Sequence, residues 1–275
     1  MLVDKFLDIF PFWTFGIVIF TFLTIAGYAG QYLSHYLQKR GLIRNIEKKH
    51  QKAILAPILG LFALLIGFTF TMGLSRYELR RELVVHEANA IDTTYLRLQL
   101  LQEPYRSYLS SLLVSYMNTR VELFAPHSSP QEAYLQKQSE VLKLQFWNAL
   151  TEALRLIPKD QITGQLLFAS NQMFDVGSER IATQRAHIPT VVLEQLLWYA
   201  IIASALQGFL HGISLKHHDL IPAVLQLLVS MVIMLIVDLD YPHRGSITIS
   251  QEPIKQVQVS LLGNERRKSI LKLTK

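Results

Sequence analysis

The chain has 275 residues, half of them apolar and only 17% charged, with no cysteine and a net charge of +6. The missing cysteines exclude disulfides, thiolate catalysis and cysteine-bound metal. Soluble domains average about 25% charged residues, so the deficit points to a membrane protein. The basic surplus then points to membrane orientation, because no aromatic-basic platform for nucleic acid is present.

A membrane helix needs roughly 20 predominantly apolar residues. Residues 9–38 carry no charge, and 9–30 is the first predicted span. Small residues at Gly27 and Ala29 resemble a leader cleavage site, but the apolar run is long and Asp4 and Asp8 weaken a basic leader. The segment therefore reads as a retained helix. Residues 53–75 form the second uncharged run. The third span is predicted over about 188–214, with Glu194 near its start, and the fourth over 220–238. The few residues of SLKHHD join them into an antiparallel hairpin.

Between spans two and three, residues 76–187 show helical periodicity and little strand signal. RYELRRELVVHEANAIDTTYLRLQLL continues span two as a helix and ends at QEP. A second helix carries Tyr105, Tyr108, Leu109, Leu112, Leu113 and Tyr116 on one stripe. A third starts at Pro130 after Ser129 as cap and stops at Pro158. A fourth runs from Asp160 to about Arg185. The expected fold is all-α: four transmembrane helices, with a helical-bundle extramembrane insert between the second and third. Residues 239–275 read as a C-terminal segment and basic tail, in which Pro242 and Gly245 turn the chain and ITIS is extended.

The loop over 38–52 holds Lys39, Arg40, Arg44, Lys48, Lys49 and Lys52 against one acid. The positive-inside rule puts it in the cytoplasm and both termini and the insert on the opposite side. Arg76, Arg80, Arg81 and the terminal RRKSILKLTK pull the other way.

Enzyme and metal motifs fail when checked. His86-Glu87 begins like a zinc-protease helix, but Ala90 stands where the second histidine is required. His217, His218 and Asp219 could touch a metal, but adjacent histidines in a tight turn read first as solvated interfacial residues. No P-loop, nucleotide fingerprint or nucleophile elbow is present, and no cofactor is implied. Ala200, Ser204, Gly208 and Gly212 recur every four residues, a groove that admits a close helix; span four and another subunit are both candidate partners. Glu194 reads as an interfacial residue near the headgroups, with an ion site as the alternative. Span two, with its glycines and phenylalanines, either lines a constriction that gates by dewetting or simply packs. Asp238 and Asp240 leave span four at the level where Arg76 and Arg80 leave span two. The two pairs are predicted to form structural ion pairs, with simple boundary marking as the alternative.

PILGLFALLIGFTFTMGLSRYELRRE resembles the second membrane helix of bestrophin anion channels, where a Gly-Phe pair precedes an arginine- and acid-rich cytoplasmic helix. A closer resemblance, over nearly the whole chain, is to the bacterial bestrophin-like domain family of unknown function. It rests on the basic loop, on EANAIDTTYLRL followed by QEPYRSYLSSLLVSY, on the paired C-terminal spans and on DLDYPHRGSITISQEP. The resemblance implies a multi-pass protein of the bacterial inner membrane, with the lipid bilayer, further copies of itself and inorganic anions as partners. It places Phe68 at the bestrophin neck, with Leu64 and Gly60 at the rings four and eight residues earlier. Gly60 departs from the bulky apolar residue expected there. A second departure is orientation, since bestrophins keep their large domain in the cytoplasm. Glu87, Asn89, Pro242 and Gly245 are family-motif residues without an assigned role. The alternative to a channel is a membrane-anchored scaffold or sensor whose helical domain binds a partner.

Overall fold

A computed structural model of the chain describes residues 11–42, 48–125, 129–156, 161–213, 220–241 and 245–273. Among these residues are eight helices and no strand. They are α1 (Phe12–Lys39), α2 (Lys48–Leu98), α3 (Tyr105–Leu123), α4 (Ser129–Arg155), α5 (Gln161–Arg185), α6 (Thr190–Ile213), α7 (Leu220–Asp240) and α8 (Glu252–Leu273). The all-α expectation holds, and among the described residues four segments are long and apolar enough to cross a membrane. The chain divides into two compact units, Met1–Tyr77 with His187–Thr248, and Glu78–Ala186 with Ile249–Lys275.

The first unit holds α1, the first half of α2, α6 and α7. Its contacts fix the helix directions. Gly27 and Gly30 of α1 abut Gly208 and Ala205 of α6, and Ser34 abuts Gly212, so the two helices run parallel. Gly16 faces Met234 while Gly27 faces Gln226, so α7 runs antiparallel to α1. Phe62 stacks on Tyr199 at 5.7 Å, and Gly73 faces Ile188, which makes α2 antiparallel to α6. The core is apolar, built on Ile19, Leu23, Phe62, Leu196, Ala200, Ile233 and Ile236.

The second unit is a bundle around Tyr95, Leu109, Leu113, Met117, Phe146, Leu150, Leu166 and Met173. Phe174 sits edge-on to both Tyr116 and Phe146, at 5.9 and 5.8 Å. Such pairs add about 0.5–1.5 kcal/mol beyond the burial of their area. Tyr108, placed on the buried stripe by periodicity, is 56% exposed instead. It occupies the edge of that stripe, one position before Leu109, and its hydroxyl-bearing ring tolerates water. The first helix of the insert ends at Leu98, six residues before Pro104. Glu103 then starts α3: its carboxylate accepts from Ser107 N–H at 3.2 Å and from the Arg106 guanidinium at 2.7 Å. These hydrogen bonds from Ser107 and Arg106 hold its carboxyl down at about 2.

The largest difference from the sequence reading is α8, a helix where only a segment and a basic tail are expected. Ile254 and Leu261 are fully buried in the bundle core, with Val257 packed beside them. Ser250 Oγ accepts from Glu252 N–H at 3.2 Å, so a serine caps the start of the helix. Before it, Ile247, Ile249 and Gln251 are half-buried and Ser246, Thr248 and Ser250 exposed, the alternation of an extended segment.

Candidate pore helix and buried polar clusters

The intramembrane half of α2 has two faces. Phe62, Thr69 and Gly73 are buried in the first unit, with Leu65, Ile66 and Phe70 half-buried beside them. The opposite face is open. Phe68 is 63% exposed and Leu64 53%, and a Cβ at Gly60 or Gly67 would meet nothing. Residues four apart rise about 6 Å along a helix, so Gly60, Leu64 and Phe68 form a ladder about 12 Å tall. No residue from 53 to 75 is charged. Thr69 and Thr71 bond back to the carbonyls of Leu65 and Gly67, so their hydroxyls are already satisfied within the helix. Only 11% of the apolar window of α2 is buried, against 28% for each of the other three spans. It is the span left most open to a partner or to lipid.

The small residues of α6 face α1. Ala200, Ser204, Gly208 and Gly212 are all buried. A Cβ on Gly208 would strike the Gly27 carbonyl, and one on Gly212 would lie 2.8 Å from Ser34 Oγ. The groove's partner within the chain is thus the first span, a helix the sequence reading did not weigh. Glu194 is exposed in the first turns of α6.

The acids at the end of α7 bond to backbone. Asp240 is fully buried, and both of its oxygens accept from Ile188 N–H, at 3.1 and 3.0 Å. His187 lies 3.4 Å from the same carboxylate and stacks on Tyr241. Asp240 thereby fixes the turn that leads into α6. Asp238 accepts from Ile247 N–H at 3.3 Å, and a Cβ on Gly245 would collide with its carboxylate. Arg76 is half-buried. Arg80, 2% exposed, donates to the carbonyls of Thr183 and Ala186 at 3.3 and 2.7 Å, at the C-terminal end of α5. Pro242, His217, His218 and Asp219 lie outside the described residues, as do residues 43–47 of the basic loop.

Glu87 is the centre of the second unit. It is fully buried, and Arg120 Nε and Arg180 Nη1 each donate to one of its oxygens at 2.5 Å. Arg120 also donates to the Gly177 carbonyl at 2.9 Å, and Arg180 to Gln251 Oε1. Both guanidinium groups lie on the Phe124 ring, Arg180 at 3.6 Å. Burial pushes the Glu87 carboxyl up, but the two arginine charges and their hydrogen bonds outweigh it and hold the group below its ordinary value. Burial raises the neighbouring Tyr116 hydroxyl to about 12. Asn89, two residues on, is exposed.

Glu87 belongs to a longer polar seam. Along α2, Arg80, Glu87 and Thr94 are seven residues apart, and each meets α5, with Arg97 beyond them. Thr94 donates to Ala169 O at 3.2 Å and Arg97 to Gln165 O at 2.6 Å. Partners descend on α5 as residues ascend on α2, which is an antiparallel register. Sequence reasoning missed Arg120 and Arg180. Their signal is a cation on an otherwise apolar stripe: Arg120 follows Tyr116 by four residues, and Arg180 follows Met173 by seven. Among the described residues, no group of three or more His, Asp or Glu side chains could hold a metal ion.

The fold is shared with solved structures. A bacterial bestrophin homolog from Klebsiella pneumoniae superposes with a TM-score of 0.67 at 13% identity, over 90% of this chain and 97% of the other. A tyrosine-to-alanine variant of the same homolog matches with a TM-score of 0.67 at 14% identity, over 90% and 97%. A leucine-to-threonine variant gives 0.65 at 15%, over 89% and 98%. Comparison with curated proteins finds no match. Residues 21–254, from within α1 to the start of α8, match the Bestrophin-like domain, and the chain belongs to that family.

Proposed function

We propose that the chain is one subunit of a homo-oligomeric channel for small inorganic anions in a bacterial inner membrane, with α2 lining the pore. One observation carries this reading: the uncharged face of α2 with Gly60, Leu64 and Phe68 is exposed in a single chain and is the least covered of the four spans. Copies arranged around an axis would cover that face and enclose an apolar constriction, which gates by dewetting. Phe68 is its bulkiest rung and Gly60 leaves one end wide. Likeness to a bacterial bestrophin homolog supports the same reading. The protein's work is then conduction and not catalysis, and it calls for no cofactor.

Halide flux from liposomes loaded with the purified protein tests this. Flux above that of empty liposomes, altered by Phe68→Ala, is expected. Absence of flux from folded, inserted protein would move the reading to a membrane-anchored scaffold. The loop over 38–52 is assigned to the cytoplasm by its charge. Phosphatase and fluorescent-protein fusions at the C-terminus test that orientation: an active phosphatase is expected, whereas a fluorescent fusion would put the helical domain inside.

A further inference from the structure

The membrane unit buries an amide that packing alone does not require. Gln226 of α7 is 6% exposed. Its Nε2 donates to Ser204 Oγ at 2.7 Å, and that hydroxyl donates to Leu23 O at 2.7 Å. Among the described residues nothing donates to Gln226 Oε1. Gly27 makes room for this amide, since a Cβ there would lie 2.5 Å from Nε2. Beside it, α1, α6 and α7 leave a cleft of about 40 Å³, walled by Gln226, Gln31, Tyr28, Thr24 and His211. That is space for about three water-sized groups. Gln226 is the seventh residue of α7, about 9 Å from its start, so the cleft lies near headgroup depth. Tyr28 is 61% exposed at its mouth, the placement favoured by interfacial aromatics.

We propose that this cleft is a binding site for a phospholipid headgroup that carries hydrogen-bond donors, an ethanolamine ammonium or glycerol hydroxyls. The Gln226 amide oxygen accepts from no described residue and stays open to a donor from a ligand although its side chain is nearly buried; Gln31, Tyr28 and Thr24 add polar, uncharged wall groups beside the His211 imidazole, and the volume fits the last few heavy atoms of such a group. A choline headgroup has no donor and is too broad. The site is independent of ion conduction and stands whether or not the chain forms a channel.

The test is the melting temperature of the full-length protein in detergent with phospholipids of one acyl composition and ethanolamine, glycerol or choline headgroups. Ethanolamine or glycerol lipid is expected to raise Tm by about 2–4 °C over choline lipid. Gln226→Leu should abolish that preference. Gln31→Leu, at a half-buried wall position whose side chain makes no hydrogen bond, should do the same if Gln226→Leu does not fold. A preference retained in Gln31→Leu, or an equal shift with choline lipid, overturns the proposal. An equal shift from free ethanolamine or glycerol without acyl chains overturns the lipid assignment.

Discussion

The two halves of α2 handle polarity in opposite ways. In the membrane half, the threonines turn back on their own helix and the face toward α6 and α7 is apolar. In the other half, Arg80, Glu87, Thr94 and Arg97 reach across to α5. Register therefore has two sources. Between α1 and α6 it comes from glycines whose missing Cβ atoms let backbones touch, and between α2 and α5 it comes from a buried ion cluster. Shape specifies the first and charge the second, and the two should fail differently.

The largest effect should come from the charged half. Glu87→Ala leaves Arg120 and Arg180 buried without their carboxylate. Breaking a buried pair this way costs about 3–5 kcal/mol. Chemical denaturation followed by circular dichroism should show the loss. A loss under about 1 kcal/mol would mean that water replaces the carboxylate, and the bundle's register would then rest on its apolar core. Glu87→Gln sharpens the same point through pH. The folded Glu87 carboxyl titrates below its ordinary 4.5. Its stabilisation is therefore full above about 4.5 and is lost as pH falls through the lower folded value. Wild type should lose stability in acid over that window, and Glu87→Gln should show a flatter acid limb.

How much of this was legible in the sequence depends on the same contrast. The spans, the hairpin and the insert's helices follow from uncharged runs and periodicity, because hydrophobic burial leaves a direct trace in composition. Glu87 stands out in its motif, but its partners lie 33 and 93 residues away, and charge pairing across a bundle has no local spacing. α8 was legible in principle: Ile254, Val257 and Leu261 keep helical spacing after a serine cap. The basic run that follows and the short apolar stripe hid it. The Gly208 groove was visible, but its partner was not, since small residues advertise a close approach without naming the helix that makes it.

Shape should break next. Gly208→Ala places a Cβ against the Gly27 carbonyl, and Gly30→Ala places one against Ala205 O. Both neighbours are backbone, so the helices must separate. Overpacking of this kind costs about 1–3 kcal/mol. Melting in detergent should show the loss, without the acid dependence of the Glu87 variants. Gly67→Ala, which meets nothing, should be neutral in a single chain.

A smaller effect concerns the end of α7. We propose that Arg76, half-buried, pairs with Asp238 within the membrane unit. A double-mutant cycle with Arg76→Asp and Asp238→Arg should then return a coupling of about 0.5–1 kcal/mol. Additive losses would leave Asp238 as a backbone acceptor for Ile247 N–H alone.

Of the side chains with a proposed role, Phe68 should change stability least. Its ring is 63% exposed in the chain, so truncation removes few contacts, and the cost within one subunit should stay within about 0.5 kcal/mol. If copies assemble around α2, that ring is no longer free. The same substitution should then lower the midpoint of subunit dissociation and widen the constriction, while secondary structure and the bundle's melting stay unchanged. Melting of the isolated subunit, light scattering of the assembly and halide flux should therefore move apart for Phe68→Ala: no change, weaker association and altered flux. A variant that lowers monomer stability as strongly as Gly208→Ala would instead place Phe68 in intramolecular packing. The open face of α2 would then belong to lipid.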